Sequence, residues 1–226
     1  MSAAAQYARL VEAASAPYRA AGSFAWHFAR GKLGRDPAFR HFLEARLIPE
    51  GARLLDLGCG QGLLRALLDA AGEPRLASYR GFELMARDVE RARRALGGDC
   101  GVSQGDIRTA PFGSADVVVL LDVLHYLPLA DQDAVLARVR AALAPGGTLL
   151  LRIGDAGGGL PFLLSNWADW CVACARGHGA TRFHCRSVAQ WRGALEALGF
   201  AVRAEPMSRG TPFANVLLVA RAPRHD

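Results

Sequence analysis

The feature that most constrains the fold is a short apolar run that stops at three closely spaced glycines. Residues 54–62 read Leu-Leu-Asp-Leu-Gly-Cys-Gly-Gln-Gly, and a helical pattern of leucines follows at 63–68. Because glycine has no Cβ, the backbone can turn sharply and approach a ligand closely, and the helix behind the turn offers free N–H groups. The stretch therefore predicts a buried strand, a tight turn and a helix start. Taken alone, it also fits a turn that binds nothing.

Strand-like and helix-like patterns alternate after this turn. We predict strands at 76–83, 100–104, 115–121 and 148–153, and helices at 63–71, 85–96 and 131–143, with a turn at 145–147. Such alternation predicts a parallel sheet with helices on both faces. A helix at 187–198, capped by Ser187, and two strands at 200–205 and 215–221 close the chain, the strands as an antiparallel pair at the edge of the sheet.

The N-terminal residues have a different pattern. Residues 3–20 are predicted to form an amphipathic helix and residues 29–37 a loop. Asp36 and Pro37 then suit the cap and the first position of a helix that runs to about Leu47.

Composition argues against several classes of protein. The net charge is +6, but Lys32 is the only lysine among 27 basic residues and the arginines are scattered, so nucleic-acid binding is not expected. Apolar stretches end well before the roughly 18 residues of a membrane span, and the N-terminus lacks a signal-peptide pattern, so we expect a cytoplasmic protein.

The five cysteines are expected to be reduced and free of metal. Cys171 and Cys174, with His178, His184 and Cys185 nearby, could be drawn as a zinc site. However, the pair falls in an apolar helical pattern, where small buried thiols are common, and a second pair with the same spacing is missing.

Three acidic residues follow successive strands of the predicted sheet. They are Asp56, Glu83 and Asp106. Ligands of open parallel sheets bind outside the carboxyl ends of the strands. Glu83 can accept hydrogen bonds from both hydroxyls of a ribose, and Asp106 could accept from an adenine amino group. Each acid alone could be a helix cap or a turn residue, but three in this arrangement predict an adenosine-containing ligand.

The motifs at 54–62, 81–83, 104–107, 116–127 and 143–150 together resemble those of class I S-adenosylmethionine-dependent methyltransferases, over about residues 50–153. The resemblance implies an α/β, three-layer Rossmann-like fold with a seven-stranded, mostly parallel sheet and an antiparallel last strand. It also implies N-terminal helices, a helical insertion after the fifth strand, and S-adenosyl-L-methionine as cofactor.

The resemblance also implies a set of cofactor-binding residues. The methionine part would lie over Gly58 and Gly60 near Asp56, with Arg30 or Lys32 pairing with its carboxylate. The full set is Arg30, Lys32, Asp56, Gly58, Gly60, Glu83, Leu84, Asp106, Ile107, Leu121 and Asp122.

The acceptor is predicted to be a small organic molecule. The position at which enzymes that methylate base amino groups carry an Asn/Asp-Pro-Pro-aromatic signature reads Leu-Asp-Val-Leu-His-Tyr at 121–126, closer to small-molecule enzymes. The segment 210–215 resembles methyltransferases of aryl polyene pathways. We predict O-methylation of an aromatic or acyl-linked acceptor, free or carrier-bound. Candidate bases are His125 and His184, and candidate acceptor contacts are Trp26, Tyr126, Trp167, Trp170 and Arg186.

We predict one domain over residues 1–226. Its parts would be a helical cap (1–48), the cofactor-binding core (50–153), an insertion that forms a lid with a glycine hinge at 157–159 (154–186), and a C-terminal helix with two strands (187–226). Three other functions stay open: a non-catalytic methyltransferase-like partner protein, an RNA methyltransferase, and a nicotinamide-dependent oxidoreductase. The last usually needs a G-x-G-x-x-G spacing, which this turn lacks.

Overall fold

The computed structural model describes residues 2–155, 183–208 and 215–224. Several predictions lie outside the described residues: the glycine hinge at 157–159 and most of the lid, Trp167, Trp170, Cys171, Cys174 and His178, and all but the last residue of the segment 210–215. The chain divides into two compact units, Met1–Val117 and Val118–Asp226. The single-domain division stays a prediction.

Four helical segments open the first unit. They are α1 (Ala3–Ser15), a 3₁₀-helix (Ala16–Ala21), α2 (Ser23–Arg35) and α3 (Pro37–Glu44). As predicted, Asp36 caps α3: its carboxylate accepts a hydrogen bond from Ala38 N at 3.0 Å, and Pro37 takes the first helical position.

The loop predicted at residues 29–37 is wrong, because α2 continues to Arg35. Three small or apolar side chains, Ala25, Ala29 and Leu33, are buried along one face of this helix at four-residue intervals. This narrow apolar stripe holds the segment helical despite two glycines, which cost helix stability.

The glycine turn lies between the first strand and its helix. The elements here are β1 (Arg53–Leu57), α4 (Leu63–Ala71), β2 (Ser78–Glu83), α5 (Ala86–Leu96) and β3 (Val102–Gln104). β1 and β2 pair in parallel with Asp56 opposite Gly81, and β2 pairs in parallel with β3. Parallel pairing brings the carboxyl ends of these strands to one edge, as predicted.

The boundary between the two units lies within β4 (Ala115–Leu121). A 3₁₀-helix (Leu124–Tyr126), α6 (Leu129–Ala142), β5 (Leu143–Gly154), α7 (Val188–Ala197), β6 (Ala201–Pro206) and β7 (Asn215–Arg221) follow. Ser187 caps α7 in a capping box with Gln190, which confirms the predicted cap.

The turn predicted at residues 145–147 is wrong, because β5 already begins at Leu143. Backbone hydrogen bonds extend the pairing with the end of the chain: Gly146 N donates to Pro223 O at 3.0 Å, and Ala222 N donates to Gly147 O at 2.8 Å. The glycines are therefore held in the sheet by a partner that is remote in sequence.

The strands form a seven-stranded sheet in the order β3-β2-β1-β4-β5-β7-β6. β7 runs antiparallel to both β5 and β6. The predicted seven-stranded mixed sheet with an antiparallel last strand is therefore confirmed. β6 and β7 pair as predicted, but only β6 lies at the edge. In the described parts of the chain, none of the helices combines the length and the hydropathy that a membrane crossing requires.

Candidate functional site

The glycine turn after β1 is hydrogen-bonded to β2, and there is open space beside its middle glycine, Gly60. Gly58, Gly60 and Gly62 have φ of 74°, 56° and 73°. Gly58 N donates to Phe82 O at 2.8 Å. Among the described residues, and apart from its chain neighbours, a Cβ built on Gly60 would meet no atom within 4 Å, whereas one on Gly62 would lie 3.1 Å from Leu96. The turn thus offers open backbone at Gly60 that a ligand could approach.

Glu83, at the end of β2, binds this turn through its carboxylate. Oε2 accepts a hydrogen bond from Gly60 N at 3.0 Å, and Oε1 accepts from Met85 N at 2.8 Å. A carboxylate oxygen has two lone pairs, so each oxygen can still accept from a hydroxyl of a vicinal diol. The next residue, Leu84, is 54% exposed, which is unusual for a leucine and leaves an apolar surface beside the carboxylate.

Asp106 follows β3, and its carboxylate is engaged by Arg108. It accepts from Arg108 N at 2.9 Å and forms an ion pair with Arg108 Nη2 at 2.6 Å. Ile107 is buried. Gly105 N donates to Glu83 O at 3.0 Å, which ties this loop to the end of β2. The structure therefore brings the predicted adenine-contacting residues next to the predicted ribose-binding residue.

Asp56 is the most buried of the three acids, with 4% of its surface exposed. Tyr79 Oη donates a hydrogen bond to Asp56 Oδ2 at 2.9 Å. Burial raises the pKa of Asp56 to about 7; the Tyr79 hydrogen bond opposes this shift, and the charge of Glu83 adds to it. Tyr79 was not among the predicted site residues, because this contact depends on the register between β1 and β2.

A second tyrosine anchors the N-terminal helices to the glycine turn. Tyr18 Oη donates to the backbone oxygen of Gln61 at 2.7 Å. The side chain of Gln61 donates in turn to Asp88 on α5 at 3.2 Å. This contact was also missed, because a lone tyrosine in an amphipathic helix gives no signal of its partner.

The N-terminal candidates have partners within the unit. Arg30 forms an ion pair with Glu12 at 2.5 Å, and Lys32 forms one with Asp36 at 2.9 Å. The guanidinium of Arg19 lies 4.8 Å from the ring centre of Trp26. Each of these two cations already has an acidic partner. A methionine carboxylate bound by Arg30 or Lys32 would therefore compete with Glu12 or Asp36.

In the second unit, Asp122 directly follows Leu121 at the end of β4 and has a φ of 57°. Arg152 on β5 holds its carboxylate with two side-chain hydrogen bonds, the one from Nε at 2.8 Å. Arg152 is 2% exposed. A buried guanidinium needs a charged partner, so this pair fixes Asp122 in a backbone conformation that residues with a side chain rarely adopt. No local pattern around Arg152 indicates this pairing.

Three aromatic side chains cluster after β4. The ring centre of His125 lies 4.2 Å from that of Tyr126 and 5.3 Å from that of Phe183, and Tyr126 and Phe183 meet edge to face at 5.5 Å. Burial lowers the pKa of His125 to about 4, so its imidazole is neutral at physiological pH. Phe183 was missed.

The two remaining candidates are His184 and Arg186, which closely follow Phe183 in the sequence. His184 N donates to His125 O at 2.9 Å, and the His184 carbonyl accepts from Gln132 Nε2 at 2.7 Å. The guanidinium of Arg186 donates to Asp133 Oδ1 at 2.6 Å and to Leu129 O at 3.1 Å.

Comparison with known proteins decides the family. A family model described as a methyltransferase domain matches residues 25–205, most of the chain. The chain belongs to the class I S-adenosylmethionine-dependent methyltransferases. The predicted family, enzyme class and cofactor are thereby confirmed.

Two curated relatives match this methyltransferase over about half of its length. The chain is 38% identical over 106 residues to a carboxy-S-adenosyl-L-methionine synthase of Chromohalobacter salexigens, covering 45% of the chain and 39% of the relative. It is 32% identical over 123 residues to a ubiquinone biosynthesis O-methyltransferase of Xanthomonas axonopodis pv. citri, covering 51% and 48%. The matches thus span less than half the length of either relative.

Solved structures share the fold. A magnesium protoporphyrin IX methyltransferase from Synechocystis with bound S-adenosylhomocysteine has a TM-score of 0.61 at 21% identity, covering 90% of this chain and 91% of that one. A chain of the complex between the Haloferax volcanii Trm112 methyltransferase activator and a methyltransferase has a TM-score of 0.67 at 22% identity, covering 88% and 94%.

We expect the purified methyltransferase to contain well below one equivalent of zinc. Within the described residues, no group of three or more His, Cys, Asp or Glu side chains could hold a metal ion. Cys171 and Cys174 lie outside those residues, so the prediction for them rests on their apolar helical pattern. Elemental analysis of protein prepared without added metal or chelator tests it, and about one equivalent of zinc would contradict it.

Proposed function

We propose that this methyltransferase transfers a methyl group to an oxygen atom of a small aromatic or acyl-linked acceptor, free or carrier-bound. The observation that carries the proposal is the cluster of His125, Tyr126 and Phe183 just beyond the carboxyl end of β4. Ligands of open α/β sheets bind outside the carboxyl ends of the strands, and small-molecule sites are lined mainly by apolar and aromatic side chains with few polar groups.

The cofactor is proposed to bind along the first unit's strand ends. Its methionine part would cross the open backbone at Gly60, near Asp56. Its ribose hydroxyls would donate to Glu83, whose oxygens keep lone pairs after accepting from Gly60 N and Met85 N. Its adenine would pack on the exposed side chain of Leu84 and near Asp106 and Ile107. Five further residues are proposed to contact the methionine part of the cofactor: Gly58, Arg30, Lys32, Leu121 and Asp122.

The acceptor is proposed to lie against the aromatic cluster. Tyr126 and Phe183 are partly exposed, and their edge-to-face contact leaves ring surface on which another aromatic group could stack. Trp26, Trp167, Trp170 and Arg186 stay further candidates for acceptor contacts. The guanidinium of Arg186 already pairs with Asp133, so a role in holding an acceptor carboxylate would need that ion pair to open.

Methyl transfer from a sulfonium is an in-line displacement, so most of the rate enhancement can come from alignment, worth about 7–11 kcal/mol for a well-oriented pair. A base is needed only when the acceptor hydroxyl must lose its proton. His125 is neutral because burial lowers its pKa, so one of its two ring nitrogens carries no proton and can act as an acceptor. His184 is the second candidate.

The charge distribution favours a small acceptor over a nucleic acid. Several arginines are neutralised by acidic neighbours on the same helix: Arg40 by Glu44, Arg65 by Asp69 and Arg94 by Glu90. Phosphate backbones are bound by basic groups that release counterions, and locally paired arginines contribute little to this.

A mass-resolved acceptor screen tests the proposal. Phenols, catechols and carrier-bound acyl groups would be incubated with the protein and S-adenosylmethionine. We expect the mass of an oxygen-bearing acceptor to increase by that of one CH₂ group. Methylation of RNA alone would contradict the proposal. A carboxyl group gained by the cofactor would instead favour the chemistry named for the Chromohalobacter relative.

Replacement of His125 by phenylalanine, which keeps the aromatic packing, should lower kcat by about 10²-fold or more for an acceptor with a neutral hydroxyl. Cofactor affinity should be unchanged. Because the pKa of His125 is lowered to about 4, its contribution to kcat should be constant across neutral pH and be lost as the pH falls towards that value.

His184→Phe tests the second candidate base: a loss of kcat in that variant, with kcat retained in His125→Phe, would assign the role to His184 instead. An acceptor whose hydroxyl is already ionised should be insensitive to His125→Phe. Full turnover of the neutral acceptor by His125→Phe would show that His125 only packs the cluster.

A further inference from the structure

We propose that Tyr79 is a positioning residue of the cofactor site, whose hydroxyl keeps the Asp56 carboxylate ionised beneath the glycine turn and so sets the lowest pH at which the protein binds S-adenosylmethionine well. This inference rests on the proposed placement of the cofactor at the turn. It does not depend on the identity of the acceptor.

The hydrogen bond follows from the register of two strands. Asp56 on β1 lies opposite Gly81 on β2, and Tyr79 precedes Gly81 by two residues, so it lies on the same face of the sheet. Because Gly81 has no side chain, the Tyr79 ring can extend along β2 to Asp56, and its Oη donates to Oδ2 at 2.9 Å. Both side chains are buried.

Two glycines provide the space for the tyrosine and fix its position. A Cβ on Gly81 would lie 3.0 Å from Tyr79 Oη and 2.7 Å from Cys59 Sγ. A Cβ on Gly101, which has a φ of +77°, would lie 2.5 Å from the Tyr79 carbonyl oxygen and 3.1 Å from the ring. Any side chain at either glycine would displace the tyrosine or its neighbours. The hydroxyl is therefore held in place before any ligand binds.

The Tyr79 hydroxyl donates the side-chain hydrogen bond that favours the charged form of Asp56. Glu83, beyond it on β2, raises the pKa of Asp56, as burial does. The Cys59 thiol lies near Asp56 and Tyr79. Burial raises the pKa of this thiol well above its ordinary value, so the thiol is neutral. Tyr18 also lies nearby, and its hydroxyl donates to the backbone oxygen of Gln61.

Tyr79 itself keeps its proton at all relevant pH values, because burial and the charge of Asp56 raise its pKa well above the ordinary value. On α4, the guanidinium of Arg65 lies 5.6 Å from the centre of the Tyr79 ring, and its charge is paired with Asp69 at 2.7 Å. The hydroxyl is thus a permanent donor to the carboxylate.

The sign of the pH effect follows from the charge of the cofactor. S-adenosylmethionine carries a sulfonium, an ammonium and a carboxylate, so its net charge is positive and an ionised Asp56 favours it. That contribution is present above the pKa of Asp56, about 7, and is lost as the pH falls through it. A hydrogen bond to the charged form lowers a carboxyl pKa, so removing the Tyr79 hydroxyl raises the pH at which the contribution is lost.

The test compares Tyr79→Phe with Tyr18→Phe, since both substitutions remove one buried hydroxyl near the same turn. Only the first hydroxyl donates to an ionisable group. The carboxyl titration of Asp56 would be followed by ¹³C NMR on cofactor-free, full-length protein with labelled aspartate, with Asp56→Asn to assign the signal. We expect Tyr79→Phe to move the midpoint up by about one pH unit, and Tyr18→Phe to leave it unchanged.

Calorimetry with S-adenosylmethionine across the same pH range gives the second readout. With a midpoint shift of one unit from about 7, the affinity of Tyr79→Phe at neutral pH should fall about fivefold, and the loss should vanish by about pH 9. A purely structural role would weaken binding equally at every pH. Asp56→Asn should remove the part of the pH dependence that comes from the carboxyl group and should be insensitive to Tyr79→Phe, while the titration of the cofactor's own amine, at about pH 8, stays the same in every variant.

An unchanged Asp56 titration in Tyr79→Phe would overturn the inference, as would an equal shift in Tyr18→Phe. A shifted titration without any pH dependence of cofactor affinity would also overturn it, and would place the cofactor away from Asp56. None of these results bears on the proposed acceptor, which the acceptor screen tests separately.

Discussion

Replacement of Gly60 by valine is expected to abolish binding of S-adenosylmethionine. Gly60 has a φ of +56°, where a branched side chain is strained by about 1–2 kcal/mol or more. The protein leaves the space beside its Cα open, and we propose that the cofactor's methionine part occupies that space. A valine would fill it, so the dissociation constant should rise by more than about 100-fold, as expected when a closely packed contact is replaced by a clash.

Gly51→Val is the matched control for Gly60→Val. Gly51 has a φ of +71° and, like Gly60, open space where a Cβ would lie. Its substitution brings the same backbone strain in the turn before β1, so it should lower the melting temperature but keep the cofactor affinity. Calorimetry and thermal unfolding of both variants separate the two effects. Affinity for the cofactor at the wild-type level in Gly60→Val would show that the cofactor does not cross this part of the turn.

Glu83→Ala should weaken cofactor binding by about 100-fold or more. The proposed hydrogen bonds from the two ribose hydroxyls go to a charged group and are worth about 1.5–3 kcal/mol each. The substitution also removes the acceptor of Gly60 N and Met85 N, so the glycine turn itself loses support. Glu83→Gln should be impaired as well, because its amide nitrogen would face one of these backbone donors.

Asp106→Ala is the comparison for Glu83→Ala and should cost less affinity. Its carboxylate already accepts from the backbone and the guanidinium of Arg108, so it has less capacity left for an adenine. A 2′-deoxy analogue of the product should bind wild type more weakly than the product does, and the two ligands should bind Glu83→Ala alike. Equal affinities of wild type and Glu83→Ala for the cofactor would show that the ribose does not lie at the end of β2.

The sequence predicted best those elements whose signal is contained within a few neighbouring residues. β4 was predicted at both of its ends, because a continuous apolar run that is buried on both faces needs no knowledge of its neighbours. The caps at Asp36 and Ser187 were recognised for the same reason: the capping side chain and the N–H that it accepts from are two or three residues apart.

Long-range pairing explains the errors in secondary structure. The glycines of the predicted turn at 145–147 lie in β5 because residues 222 and 223 supply their hydrogen-bond partners. The predicted loop at 29–37 is helical because the stripe of Ala25, Ala29 and Leu33 is buried, which the glycines at 31 and 34 conceal in the sequence.

By itself, the sequence predicted the family, the cofactor and the order of the strands along the chain correctly, because the glycine turn and the acids at the strand ends are local signals at fixed spacing. Only the tertiary structure decided which side chains support them. Tyr79 reaches Asp56, and Arg152 reaches Asp122, through pairings between residues 23 and 30 positions apart. Such pairings depend on strand register, and a shift of one residue would turn each side chain to the opposite face of the sheet.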